Sequence, residues 1–258
     1  MKRHFCEIWQ HRSLVLALVW RELGARYRGS TLGFLWTLAN PMLQLGVYTL
    51  LFGIYLNSAI PHYPVFLFVG LLPWTWFSGG VQAGALSIVS AASLVTKARL
   101  PPQVFPVVAV VAQFVNFGLS MLVALPVVAI VTRPLDMQAL QFLPLIALQA
   151  LLTYAVALSV AALSVRFRDV IPLTTSLLTF WFFITPIVYG AQTIPARMRT
   201  VAQLNPMAVL VEANRAVLLE GARLHWTALG GVLAEAVVLI MLAVLLFERM
   251  RPRFAEVL

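Results

Sequence analysis

A chain of 258 residues that is 61% hydrophobic and only 10% charged, with a mean hydropathy of +0.92, is too apolar for a water-soluble domain. Folded in water it would leave far too much apolar surface exposed, so its solvent is lipid and several segments cross a bilayer. A net charge of +9 would suggest nucleic acid in a soluble protein; here basic residues beside apolar segments mark the cytoplasmic side instead, and no nucleic-acid partner is expected.

Residues 1–30 carry Lys2, Arg3, Arg12, Arg21, Arg26 and Arg28. Between them Trp9, Leu16, Val19, Leu23 and Tyr27 recur at helical spacing. This predicts an amphipathic helix lying in the cytoplasmic interface, anchored by Trp and Arg, with Arg26 and Arg28 as the stop before the first span. The basic start and short apolar run have the outline of a signal peptide. The run ends in Arg21–Glu22 without a small-x-small cleavage site, so it is read as retained. The lone Cys6 can form no internal disulfide.

From Gly29 to Thr96 there is no Asp, Glu, Lys or Arg. Six segments reach the length of about 20 mainly apolar residues that a spanning helix needs. They lie near Leu32–Leu56, Pro64–Val89, Val104–Val131, Phe142–Val165, Val170–Tyr189 and Trp226–Phe247, making residues 31–258 an all-α transmembrane domain. If each segment crosses, four regions share one side: the amino-terminal segment, the link holding Lys97 and Arg99, Arg166–Asp169, and the tail with Arg249, Arg251 and Arg253. That side is the cytoplasm, and both termini are inside. Finding no internal repeat, we expect half of an assembly rather than a two-fold transporter in one chain.

Within the first span Thr37, Asn40, Gln44, Tyr48, Phe52 and Tyr55 follow steps of three or four. Thr175, Thr179, Phe182, Thr185 and Tyr189 do the same in the fifth. Amides and hydroxyls are costly against hydrocarbon, so each stripe either lines a path or packs against another helix. As a path, rings with hydroxyls and amides suit sugars, whose C–H faces stack while their hydroxyls hydrogen-bond. Two G-x-x-x-G pairs, Gly29/Gly33 and Gly80/Gly84, are either close-packing sites or incidental small residues.

The link around 90–103 reads as a short helix that Ser90 or Ser93 can cap and Pro101–Pro102 ends. Exposed Leu94, Val95 and Leu100 around Lys97 and Arg99 would suit docking on a partner; otherwise this is a solvated linker. Residues 191–225 hold two short helical stretches, one opened by Pro195 and one from Met207 to Leu219, broken at Asn205–Pro206 and ending at Gly221. Their lengths suit a re-entrant hairpin entering from the outer face. Glu212 and Arg215, three apart, form either an internal pair or a surface one.

No catalytic or metal site is expected. A P-loop needs Gly-Lys-Ser/Thr, and the two lysines, Lys2 and Lys97, follow Met1 and Thr96. His4, His11, His62, His225 and Cys6 supply no ligand spacing, and there is no G-x-S-x-G elbow. Glu235, alone at depth, is expected to pack against a helix or a second copy rather than relay protons.

Taken in order, "RYRGSTLGFLWTLANP" (Arg26–Pro41), "KARLPPQVFP", "RFRD", "TPIVY" (Thr185–Tyr189), Pro195, "NP" and "EANRAVLLEG" (Glu212–Gly221) resemble the ABC-2-type permeases that export polysaccharides and polyol phosphates. The resemblance implies a homodimer in the bacterial inner membrane, driven by two copies of a separate ATP-binding subunit that holds ATP and Mg. It implies a lipid-linked glycan as cargo, moved from the cytoplasmic leaflet outward, with the 90–103 loop and the amino-terminal helix receiving the ATPase subunit's movement. A related permease for a drug or lipid, or a non-transporting membrane protein, is the alternative.

Overall fold

The computed structural model describes residues 2–27, 35–98, 100–134 and 136–254. Arg28, Arg99 and the Gly29/Gly33 pair lie outside the described residues, as do the side chains of Arg26 and Thr37. Among those described the regular structure is entirely helical, as expected where every backbone polar group must find its partner within its own segment.

The amino-terminal segment is two helices, α1 (Lys2–Gln10) and α2 (Arg12–Tyr27), meeting at His11. Next come α3 (Trp36–Tyr48), which continues as π-helix over Thr49–Tyr55, and α4 (Tyr63–Ser90). The short α5 (Ala92–Thr96) leads to α6 (Val104–Val131), and a 3₁₀ turn over Met137–Gln141 opens α7 (Phe142–Arg166). After α8 (Val170–Ile184) come α9 (Arg199–Gln203), α10 (Pro206–Arg215) with a π turn over Ala216–Glu220, and α11 (Trp226–Met250).

Four helical stretches among the described residues are long and apolar enough to cross a membrane: Tyr63–Ser90, Val104–Val131, Met137–Arg166 and Trp226–Arg253. They coincide with the second, third, fourth and sixth expected spans. The fifth is the 15-residue α8. The first changes from α to π at Thr49.

Helix α4 is central. It packs along both α6 and α7, and α7 in turn packs along α11. The G-x-x-x-G pair on α4 sits at this seam. A methyl at Gly80 would lie 2.7 Å from Cγ2 of Thr153, and one at Gly84 2.7 Å from Cβ of Ala157. Small residues four apart on both helices therefore let the backbones approach, which is specific packing.

One apolar cluster gathers Val15, Leu18, Val19 and Leu23 of α2, Val95 of α5, the start of α6, and the ends of α7 and α11. The face of α2 that packs against α6 is thus 15/18/19/23. Trp9, Leu16 and Trp20 stay exposed on the other side, and so do Arg12 and Arg21. The expected apolar face splits: Val19 and Leu23 meet protein, while Trp9 and Leu16 stay exposed. At the opposite end the larger cluster joins the start of α4 to α8, α10 and the start of α11.

Candidate functional site

The polar and aromatic stripe of the first span does not act as one surface. Asn40 and Gln44 turn towards a cleft that α3 shares with α4 and α6. Tyr48 instead stacks on Phe182 of α8, with ring centroids 5.4 Å apart, and Phe52 lies beside Tyr48 at 6.4 Å. Tyr55 is 72% exposed. Behind Tyr48 the rings continue: Phe182 packs against Trp74 and Phe183, and Trp181 against Phe77.

Phe182 therefore departs from the expectation that it lines a path. It is buried and holds the Tyr48 ring from behind, because a large ring gains more from burial among rings than from facing water. Thr179 is exposed, and its hydroxyl donates to the Thr175 carbonyl one turn back. The Tyr189 hydroxyl donates to the Phe183 and Ile184 carbonyls, 3.0 and 3.2 Å away. It closes the end of α8, where carbonyls lack helical partners. Periodicity could not reveal this use, since it depends on the chain folding back.

The motifs around 185–221 converge on two polar knots. At the first, the Asn205 carboxamide oxygen accepts from the Met207 and Ala208 amides, starting α10 just ahead of Pro206, and from the Trp181 indole at 2.9 Å. Its amide nitrogen donates to the Thr185 hydroxyl, 3.0 Å away. One side chain thus caps α10 and ties it to α8.

Arg215 makes the second knot and is only 3% exposed. Its guanidinium donates to the carbonyls of Pro186 and Ile187, both at 2.6 Å, to that of Phe66 at 3.3 Å, and to Glu212 Oε1 at 3.0 Å. Cζ lies 3.6 Å from the centre of the Phe66 ring, within cation–π range. Gly70 leaves room for it, since a methyl there would meet Nη2 at 2.5 Å. Burial lowers the Arg215 pKa to about 10, with Glu212 opposing that shift, so the side chain stays charged at neutral pH. Burial also raises the Glu212 pKa, against the pull of Arg215. The pair joins a buried Arg215 to a Glu212 side chain that is 38% exposed, and Arg215 holds the "TPIVY" turn against α4 and α10. Tyr63 adds a bond from its hydroxyl to the Val188 carbonyl at 2.7 Å.

The chain between Ile184 and Trp226 contains the two expected helical stretches, α9 and α10, separated at Asn205. The second ends at Gly221, whose φ of +61° is a left-handed conformation that glycine adopts without strain.

At the opposite end the short helix of the 90–103 loop is α5. Here the structure differs from expectation. Val95 is buried, and Leu94 and Leu100 are half-buried against the chain's own core, while Lys97 is exposed. Five residues of helix make little more than one turn, so the apolar side chains are drawn inward and the charge is left facing out. Two buried polar residues and their partners were invisible as a group in the sequence. His4 is fully buried, bonded to Tyr154 at 2.9 Å and to Glu248 at 3.3 Å. Burial holds its pKa below the usual value despite Glu248. Gln103, also fully buried, donates to Glu7, which pairs with Arg251 at 3.0 Å. The start of α1, the loop's end and the end of α11 are thus one polar latch. Their separation of roughly 100 to 250 positions explains why spacing gave no sign of it.

The comparisons with known proteins bear directly on what this apolar helix bundle is. The model of the ABC-2 type transporter family matches residues 13–219. An O-antigen export system permease protein, RfbA, of Myxococcus xanthus is 42% identical over 253 residues, covering 97% of each chain. A protein of the same name from Klebsiella pneumoniae is 29% identical over 250 residues, covering 95% of each. On this evidence the chain belongs to the ABC-2 type transporter family of multi-pass membrane proteins.

Proposed function

We propose that the chain is the permease subunit of an exporter that carries a lipid-linked polysaccharide of the O-antigen type across the inner membrane. The single observation that carries this is end-to-end similarity, 42% over 97% of both chains, to an O-antigen export permease. The amides and rings along α3 fit a sugar cargo. In this reading two copies form the channel, with Thr37, Asn40, Gln44, Tyr48, Phe52, Tyr55 and Thr179 near the path. Six segments cross, both termini are cytoplasmic, and residues 191–225 dip in as a re-entrant hairpin.

Energy comes from two copies of a separate ATP-binding subunit, which holds ATP and Mg and docks on Lys97, Arg99 and the α1–α2 segment. The division of labour follows from the absent Gly-Lys motif. Deleting the gene should abolish the long-chain surface glycan while lipid-linked glycan accumulates inside, and a plasmid copy should restore display. Unchanged surface glycan in the deletion would instead favour a drug or lipid permease.

Two expected outcomes refine this reading. Lys97→Glu combined with Arg99→Glu should uncouple export with the protein still inserted, because the exposed charge at α5 is what the loop presents outward. Wild-type export and unchanged complex formation in that double variant would remove the docking assignment. Tyr48→Ala removes the ring stacked on Phe182, a contact typically worth about 1 kcal/mol beyond its area. Export should weaken without loss of expression, whereas Leu43→Ala, at an exposed apolar position of the same helix, should leave export near wild type. Equal effects of the two would make the stripe a packing seam.

A further inference from the structure

Asn40 and Gln44 of α3, Gln82 of α4, and Gln113 and Asn116 of α6 line one cleft of about 530 Å³ between the three helices. Carboxamides facing hydrocarbon are costly, yet Asn40, Gln44 and Gln82 remain exposed after the helices have packed. Packing between these helices therefore does not account for them. The hydroxyls of Thr75 and Ser120, also in the lining, donate to carbonyls of their own helices at 2.8 and 3.1 Å, which leaves their oxygens free to accept.

Trp76 gives the cleft an aromatic wall: it lines the cleft, is 2% exposed and stacks on Phe117 at 4.9 Å. Gln113 lies against Gly79, where a methyl would come within 3.2 Å of its Cδ.

The chemistry narrows the occupant. Among the described residues no ionisable side chain lines the cleft, and its described lining is amides, hydroxyls and rings rather than cations. Planar amides that both donate and accept, beside an aromatic face, match hydroxyl-rich neutral sugars. We propose that the α3–α4–α6 cleft is a subsite for neutral sugar residues of the exported glycan, separate from the α3–α8 aromatic stripe. This rests on the exporter reading above and assigns Gln82, Gln113, Asn116 and Trp76 to sugar recognition.

The test places the photoreactive residue p-benzoylphenylalanine at position 113 in exporting cells that also make the ATP-binding subunit. Matched samples carry it at position 48 and at Leu122, an exposed apolar position of α6. Irradiation should join glycan to the chain at position 113, seen as a ladder that reacts with glycan-specific antiserum, and only phospholipid at position 122. Separately, Gln82→Leu with Gln113→Leu should lower export about tenfold, the effect expected from losing one or two hydrogen bonds to the cargo. Phospholipid alone at position 113, a second copy of the chain there, no adduct at all, or undiminished export would each overturn the subsite. Glycan captured at position 48 but not at 113 would sink the subsite and leave the exporter standing. Absence of glycan at both, with surface glycan intact in the gene deletion, would remove the exporter reading itself.

Discussion

Arg215→Met should detach the "TPIVY" turn from the bundle and lower the protein's stability by several kcal/mol. The substitution keeps most of the side-chain volume but removes every donor. The buried Pro186 and Ile187 carbonyls then lose a partner, and each unsatisfied buried group costs about 1–3 kcal/mol; the half-buried Phe66 carbonyl, within α4, loses a further contact. Glu212 loses its cation as well, and its already raised pKa should rise further because Arg215 is what opposes burial there. Arg215→Lys should fall between, since one ammonium cannot reach two carbonyls on the far side and a third on α4 in the planar fork that guanidinium provides. The check is thermal unfolding of the detergent-solubilised protein, alongside limited proteolysis. Cleavage within 186–221 should appear in the Met variant at temperatures where wild type is resistant. A Met variant with wild-type melting and protection would show that the buried knot contributes little.

Gly84→Leu should prevent α4 and α7 from closing. A Cβ at this position meets Ala157 on three sides: its Cβ at 2.7 Å, its Cα at 3.1 Å and its carbonyl oxygen at 3.3 Å. Two of those atoms belong to the backbone, so no rotamer change relieves the clash. Overpacking a well-filled seam costs about 1–3 kcal/mol or more, and here it acts on the helix that also holds α6. Gly84→Ala should show the same defect more mildly, and Ala157→Gly should partly rescue it, because the pair shares one contact and its effects should not add. Gly118 on α6 provides the control: nothing lies within 4 Å of a methyl there, so Gly118→Ala should be neutral or slightly stabilising, as a helical glycine usually is when replaced. Detergent melting temperatures and membrane abundance of these four variants and of the Gly84→Ala/Ala157→Gly double variant decide the matter. Additive effects of Gly84→Ala and Ala157→Gly would separate the two positions.

Both predictions concern positions that the sequence marks without explaining. The G-x-x-x-G spacing of Gly80 and Gly84 was legible as a possible seam. Its partners, Thr153 and Ala157, lie more than 70 positions away, and no local pattern names them. Glu212 and Arg215 were legible as a pair because they are three apart on a helix. That Arg215 is buried under Phe66 and spends its other donors on the 186–187 carbonyls follows only from α10 returning to the start of α4. The stripe of the first span shows the same limit. Its period set Asn40, Gln44 and Tyr48 along one helix, but their neighbours divided them between a polar cleft and an aromatic stack.

By itself the sequence determined the solvent, the all-helical class, the places of the four long spans, the helix breaks at Asn205 and Gly221, and the resemblance to ABC-2 permeases. These rest on composition, on 3.6-residue periodicity and on residue-specific backbone preferences, all of which act over a few turns of chain. Only the tertiary structure decided which apolar faces meet protein and which are left for lipid, since the two environments are equally apolar and hydropathy does not distinguish them. It also decided where the buried polar groups find partners. His4 reaches Tyr154 across 150 positions and Gln149 reaches the Pro73 carbonyl across 76, because a polar group removed from water must take whatever partner the packing of distant helices brings within about 3 Å.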